Sequence, residues 1–453
     1  MMEAGADIFR VNFSHGDYET HQKNLEMVRS TARDLQHNVA ILLDLQGIKV
    51  RTTFTRSGPF ELVEGSEIEI QGGEEASDSK RISIAPREAV QNLRPGDPVL
   101  IDDGRIRLRV LQGRGGFWTC RVEVGGVVKD RKGVHLPDTP TRELPSLTPK
   151  DLKDLEWAIG HGVDLIALSF VRSRRDIVEV KKFLADRGAD IPVIAKIEKP
   201  EVFSELEGVL QESYGVMVAR GDLGVEMRLE KVPLMQKKII AQARSLMKPV
   251  ITATQMLESM MERPIPTRAE VSDVANAVFD GTDAVMLSGE TAVGKYPIET
   301  VRLMGQIVAE AEAEMLKTRK TRTFSAEKVS FANAVGEAAC VAAESVGAKC
   351  IVVYTRSGYS AILVSGRRPA MPVFAFGEHE KTLRRLALVW GVETRLLHGT
   401  PTSVEGLIRE CETTLLQESA VQEGDSAVMV AGMPFVETGN TNFLKLHRVG
   451  RLA

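Results

Sequence analysis

Lys196 and Glu198 stand two residues apart at the end of the aliphatic run PVIAKI (192–197), and Arg220 and Asp222 follow GVMVAR (215–220) in the same way. Other apolar runs end alike: Arg10, Asn12 and Ser14 with ADIFRVNF (6–13), and Asp44 with VAILLDL (39–45). Ser169 and Phe170 close DLIALSF (164–170), Thr254 closes PVITAT (249–254), and Ser288 and Glu290 fall at DAVMLSG (283–289). Glu198 and Asp222 are hard oxygen donors from consecutive runs. Completed by substrate oxygens and water, such a pair suits Mg²⁺ or Mn²⁺. Lys196 and the arginines put positive charge where a phosphoryl group would sit, an electrostatic device for its transfer. Taken singly, each residue has a plainer role: an acid capping a helix, Glu198 paired with Lys199 in solvent, an arginine bridging a loop. Capping alone does not require charged or hydroxyl groups at so many run ends.

Something must bring these ends together. The seven runs are short, aliphatic and nearly continuous, as expected of parallel strands buried on both faces. Helix-like stretches such as RDIVEVKKFLADRG and LEKVPLMQKKIIAQARSLM alternate with them, which predicts an α/β fold built as a TIM (β/α)8 barrel. There the carboxyl ends of all strands surround one pocket. Such a barrel needs eight strands and seven are visible. MMEAGAD reads as the tail of a helix running into a strand, so the first strand is expected to be missing, through upstream truncation or a wrongly chosen start codon. A seven-stranded open sheet is the alternative. Between the second and third runs, FELVEGSEIEI, DPVLIDDGRIRLRV and FWTCRVEVGG predict an inserted small all-β domain, a lid over the pocket (49–145). The barrel then comprises 1–48 and 146–320. From 321 to 453, FANAVGEAACVAAESV, strands CIVVYT (350–355) and PVFAFG (372–377), helix EKTLRRLALVWGV and strand DSAVMVAG (425–432) predict an open α/β sheet domain.

Bulk properties exclude several classes. A 453-residue chain exceeds one ordinary core, and 43% hydrophobic with 26% charged residues is the composition of a globular protein. A net charge of -4 gives no basic face for nucleic acid. No apolar stretch approaches the length of a membrane span, and the N-terminus lacks a signal pattern. Cys120, Cys340, Cys350 and Cys411 lie far apart, which points to reduced thiols in the cytoplasm.

The segments RVNFSHG, PVIAKIEKPE, VMVARGDLGVE, VITATQMLESM, PTRAEVSDVANAVFDGTDAVMLSGETAVGKYP and LTPKD resemble, in order, the motifs of the pyruvate kinase family. The resemblance spans essentially the whole chain and is densest from Ile191 to Pro297. It implies phosphoryl transfer from phosphoenolpyruvate to ADP in glycolysis, with Mg²⁺ or Mn²⁺ held by Glu198 and Asp222. Lys196 would then stabilise the moving phosphoryl group. The backbone at Arg220 and Gly221, with Thr254, Asp222, Ser169 and Phe170, would receive phosphoenolpyruvate. Arg10, Asn12 and Arg51 would face the nucleotide. Proton delivery to the enolate would run through Thr254 or a relay near Ser288 and Glu290. Homotetramer assembly is implied too, with GNTNFLKLHRV as the closing strand that packs subunits.

One departure concerns a monovalent ion. Asn12, Ser14, Asp44 and the carbonyl of Leu45 resemble the family's K⁺ site, but LDLQGIKVR (43–51) places Ile48 and Lys49 where a Pro-Glu pair is usual. An ammonium at Lys49 would replace the cation, so K⁺ is expected not to be required. TRSGYSA (355–361) resembles the family's effector loop, with Thr355, Arg356, Ser357, Gly358 and Ser360 cradling the phosphate of an allosteric effector. An ordinary strand-to-helix turn is its competitor. Two rival functions are a Mg²⁺-dependent barrel lyase or aldolase acting on pyruvate or phosphoenolpyruvate, and a truncated inactive relative.

Overall fold

The computed structural model describes residues 1–141, 144–318, 330–435 and 440–451. All seven expected runs are strands of one parallel sheet: Ile8–Asn12, Ala40–Asp44, Leu165–Leu168, Val193–Ile197, Gly215–Ala219, Val250–Ala253 and Ala284–Met286, neighbours in sequence order. Helices Tyr18–Asp34, Pro149–Gly160, Arg174–Ala185, Val232–Ser245, Arg268–Asp280 and Pro297–Thr318 intervene or follow. The five middle strands are wholly buried, which is why they read as unbroken apolar runs. Ile8–Asn12 and Ala284–Met286, each with one partner, are half-buried throughout.

Side chains alternate across each strand. Ala40 and Leu42, Leu165 and Ala167, Ile194, Met217, and Ile251 and Ala253 fill the bore, while their neighbours pack against the helices. Two residues further along the same inward series come Asp44, Ser169 and Lys196. The register pairs Asn12 with Asp44, Asp44 with Ala167, and Leu168 with Ala195, so these polar positions lie side by side.

The insertion is a seven-stranded, largely antiparallel sheet around Ile70, Ile82, Ile101 and Leu108. Its ends meet: Arg51 bridges to Gly133, and Thr52 N donates to Lys132 O at 2.8 Å, closing a small barrel. The C-terminal unit is a five-stranded sheet, parallel except for its edge strand Phe443–Arg448. One expectation there needs correcting. The helix foreseen through EKTLRRLALVWGV stops at Arg385, tightens into a 3₁₀ turn over Leu386–Leu388, and yields to an unforeseen strand, Val392–Leu396. The cause is a divided demand: Leu386 packs in the C-terminal core, whereas Leu388 enters the barrel bore. The expected boundary at 320/321 lies outside the described residues. Among those described, no helix is long and apolar enough to cross a membrane, and the four cysteines are buried free thiols.

Candidate functional site

Three adjoining groups occupy the carboxyl ends of the strands. In the first, Lys196 Nζ lies 3.0 Å from Asp44 Oδ1, 2.9 Å from Glu198 Oε1 and 2.7 Å from Ser169 Oγ. Arg10 Nε donates to the other oxygen of Asp44 at 2.6 Å. Ser169 Oγ donates to the Leu45 carbonyl at 2.7 Å, and Phe170 N to Glu198 Oε2 at 2.6 Å. Phe170 takes φ 55°, a left-handed backbone unusual for a bulky residue, and this turns its amide toward Glu198. Gly47 also has φ 65°, and a Cβ there would come within 2.9 Å of Ser169 Cβ. Only glycine lets that loop pass so close.

Two carboxylates share one ammonium, yet their protonation differs. Asp44 faces Lys196 and Arg10, which outweigh the effect of burial and hold its carboxyl below the ordinary range. For Glu198, burial dominates; Lys196 opposes it, but the charges of Asp222 and Asp44 add to it, and the carboxyl is pushed up to about 7. Glu198 is thus a buried carboxyl whose negative charge is costly, and Asp222 beside it adds to that cost. That is the electrostatic condition of a cation site, and hard oxygen donors fit a divalent cation such as Mg²⁺ or Mn²⁺. Among the described residues no three His, Cys, Asp or Glu side chains gather into a ready-made cage. A two-carboxylate site leaves coordination positions for substrate.

Lys49 Nζ reaches Ser14 Oγ at 3.1 Å, and Asn12 Oδ1 accepts from Ser14 N at 3.0 Å. Burial, with Arg51 adding to it, lowers the Lys49 pKa, while Asp222 and Glu198 act in the opposite direction. Arg51 itself donates to Arg131 O at 2.9 Å at the root of the insertion.

The second group surrounds Thr254, whose φ of 66° is strained for a β-branched residue. Its Oγ1 accepts from Gly221 N at 2.8 Å. Arg220 turns away from the pocket: it donates to Thr254 O at 2.6 Å and Gln255 O at 3.1 Å and pairs with Asp273 at 2.6 Å, thus holding this strained loop. In the third group, Glu290 is buried with Oε2 accepting from Ser288 N at 2.7 Å and Oε1 from Leu257 N at 3.3 Å.

Sequence reasoning missed several supports. Asp151, the last residue of LTPKD, completes the capping box of its helix and also accepts from Gly47 N at 3.1 Å. Arg172 donates to Thr141 O at 2.7 Å and Pro145 O at 3.0 Å, securing the return from the insertion. Asp273, within PTRAEVSDVANAVFD, anchors Arg220. In the C-terminal domain, the expected effector residues are engaged internally. Thr355 Oγ1 accepts from Gly358 N at 2.9 Å, Ser360 Oγ bonds Thr441 Oγ1 at 2.6 Å, and Arg356 pairs with Glu378 at 3.2 Å, leaving Ser357 exposed.

Comparison with known proteins agrees with this architecture. Residues 1–301 match the family model "Pyruvate kinase, barrel domain" and residues 333–447 match "Pyruvate kinase, alpha/beta domain". A pyruvate kinase of Mycobacterium tuberculosis is 42% identical over 99% of this chain and 94% of its own length. One from Geobacillus stearothermophilus is 41% identical over 100% of this chain and 77% of its own. The crystal structure of a pyruvate kinase from Cryptosporidium parvum superimposes with TM-score 0.91 at 34% identity, covering 99% of this chain and 92% of that one. A barrel lyase or aldolase is thereby set aside: the chain belongs to the pyruvate kinase family.

Proposed function

We propose that phosphoenolpyruvate and ADP react in the pocket ringed by Lys196, Glu198, Asp222 and Thr254, giving pyruvate and ATP. The observation that carries this reading is the shared ammonium of Lys196 between Asp44 and a fully buried Glu198 whose carboxyl is pushed up to about 7. A divalent cation, when bound, supplies positive charge to the phosphoryl oxygens. Glu198 and Asp222 hold it, with Mg²⁺ or Mn²⁺ the fitting ions. Lys196, fixed by three partners, presents its charge to the phosphoryl group without reorganising during transfer. Arg10, steadied by Asp44, faces the nucleotide phosphates with Asn12 and Arg51.

Substrate carboxylate is received at the amides near Gly221. For that, Thr254 must first rotate its hydroxyl away from Gly221 N. Proton delivery is assigned to Thr254 and not to Glu290, whose two oxygens accept backbone amides; the Thr254 hydroxyl, now donating to Ala253 O at 2.6 Å, must leave that bond to deliver it. Ketonisation after protonation draws transfer toward ATP, and the inserted domain keeps water out.

The Lys49 ammonium beside Ser14 stands in for K⁺. A coupled assay of pyruvate formation, with and without Mg²⁺ and with K⁺ exchanged for tetramethylammonium, tests both points. Turnover is expected to need the divalent ion and to survive the exchange; collapse of the rate without K⁺ removes the Lys49 reading. An effector phosphate at 355–360 would take Ser357 first and must open the present bonds of Thr355 and Ser360. Homotetramer packing is assigned to the edge strand Phe443–Arg448, where Leu446 is exposed, and sedimentation measures it. Cytoplasmic location accords with four unbridged thiols.

A further inference from the structure

Three polar side chains with no part in the chemistry above, Glu226, Lys199 and His135, meet beneath the inserted domain. Glu226, only 3% exposed, ends the short helix Arg220–Glu226, four residues after Asp222 and so on the same helix face. Its Oε1 lies 3.1 Å from Nζ of Lys199, the residue that follows Glu198. The same oxygen lies 2.9 Å from Nδ1 of His135, on the strand Val134–His135 of the insertion. One carboxylate oxygen thus ties together the segment bearing Glu198, the segment bearing Asp222, and the lid.

The surroundings give this tie its weight. Near it, a narrow crevice at the root of the insertion is lined by Ile48, Val50, Thr141, Ser169, Phe170 and Lys199 among others. The contact at Glu226 therefore lies where the lid meets the barrel. A buried carboxylate held by an ammonium and an imidazole has a defined geometry, and losing one partner is costly. Burial disfavours the charge on Glu226, but the bond to His135 and the ammonium of Lys199 outweigh it and hold the carboxyl below its ordinary range.

We propose that Glu226 is a positioning residue that fixes the spacing of Glu198 and Asp222 and latches the inserted domain above them, directing the phosphoryl group to ADP instead of water. This rests on the roles given to Glu198 and Asp222 under the proposed function. In the leak reaction, the bond between phosphorus and the enol oxygen breaks and one forms to water oxygen; the enolate takes up a proton, giving pyruvate and inorganic phosphate without ATP.

Glu226→Gln keeps the side-chain shape and removes the charge. Mn²⁺ affinity, titrated by electron paramagnetic resonance without substrates, is expected to fall about tenfold or more. Pyruvate formed per ATP formed, one in the parent, is expected to rise measurably above one. His135→Leu loosens the lid contact alone, so the product ratio should rise while Mn²⁺ affinity stays within twofold. If Glu226→Gln does not fold, Lys199→Gln carries the Mn²⁺ test. Unchanged Mn²⁺ affinity and unchanged product ratio overturn the proposal, even if kcat or Tm drops. Absence of pyruvate formation by the parent protein with ADP and Mg²⁺ fails the underlying reading instead.

Discussion

Buried charges gather at both mouths of the barrel, and the two clusters are balanced in opposite ways. At the amino-terminal mouth, fully buried Asp164 accepts from Arg29, from Arg384 Nε at 2.8 Å and from Ile41 N at 2.8 Å. Two cations serve one carboxylate, and Arg384 brings the C-terminal domain with it. At the carboxyl mouth, Lys196 is divided between Asp44 and Glu198 with Asp222 nearby, and Glu198 titrates near 7. The first cluster is closed and holds domains together. The second holds a carboxyl that burial pushes toward neutrality, and a bound cation would reverse that. Similar side chains do structural or chemical work according to their local charge balance.

Removing Lys196 breaks the comparison most sharply. Lys196→Met is expected to lower kcat by roughly 10²–10³-fold or more. Arg384→Met, the matching loss at the other mouth, should leave kcat within about twofold while costing about 3 kcal/mol of stability. Steady-state kinetics and urea unfolding on the two variants decide it, and equal losses of kcat would erase the distinction.

Protonation gives the next effect. Because the folded-state pKa of Glu198, near 7, exceeds the value of about 4.3 in an unfolded chain, the folded protein holds the extra proton in that window. Stability from this group is full at pH 4 and falls as pH rises toward 7, by on the order of 3 kcal/mol in the metal-free protein. Calorimetry from pH 5 to 8 should show Glu198→Gln lacking this decline, so its advantage over the parent grows with pH. Divalent-ion binding at pH 6 should release a proton, visible as buffer-dependent heat. Parallel Tm profiles for the two proteins would deny the raised pKa of Glu198.

Lys49→Glu is expected to impose a K⁺ requirement, with turnover in tetramethylammonium down at least about tenfold. Ser169→Ala, the mildest change, removes one partner of Lys196 and should cost about 1 kcal/mol, roughly fivefold in kcat/KM. No change there would leave Asp44 and Glu198 as sufficient anchors.

The barrel strands were legible because burial on both faces writes itself as an unbroken aliphatic run. Lys196, Glu198 and Asp222 stood out because charge at the end of such a run is costly without a purpose. Other features left no local mark. His135 is one histidine in a loop-rich stretch, and its partner Glu226 lies 91 positions away. Arg220 reads as a pocket cation in sequence, yet its guanidinium faces backbone carbonyls and Asp273, which only the folded loop reveals. The helix over EKTLRRLALVWGV was misjudged beyond Arg385 because local propensity cannot register that Leu388 belongs to another domain's interior.

Leu388 carries a consequence for dissection of the molecule. It stoppers the catalytic ring from below, so severing the chain ahead of Phe331 would uncork the bore at Leu42, Ile194 and Ile251 and let water in beneath the reacting groups. The two parts share a cork and have no clean parting line. A catalytic fragment made alone should be sticky and short-lived, and should regain its shape when the missing half is co-expressed.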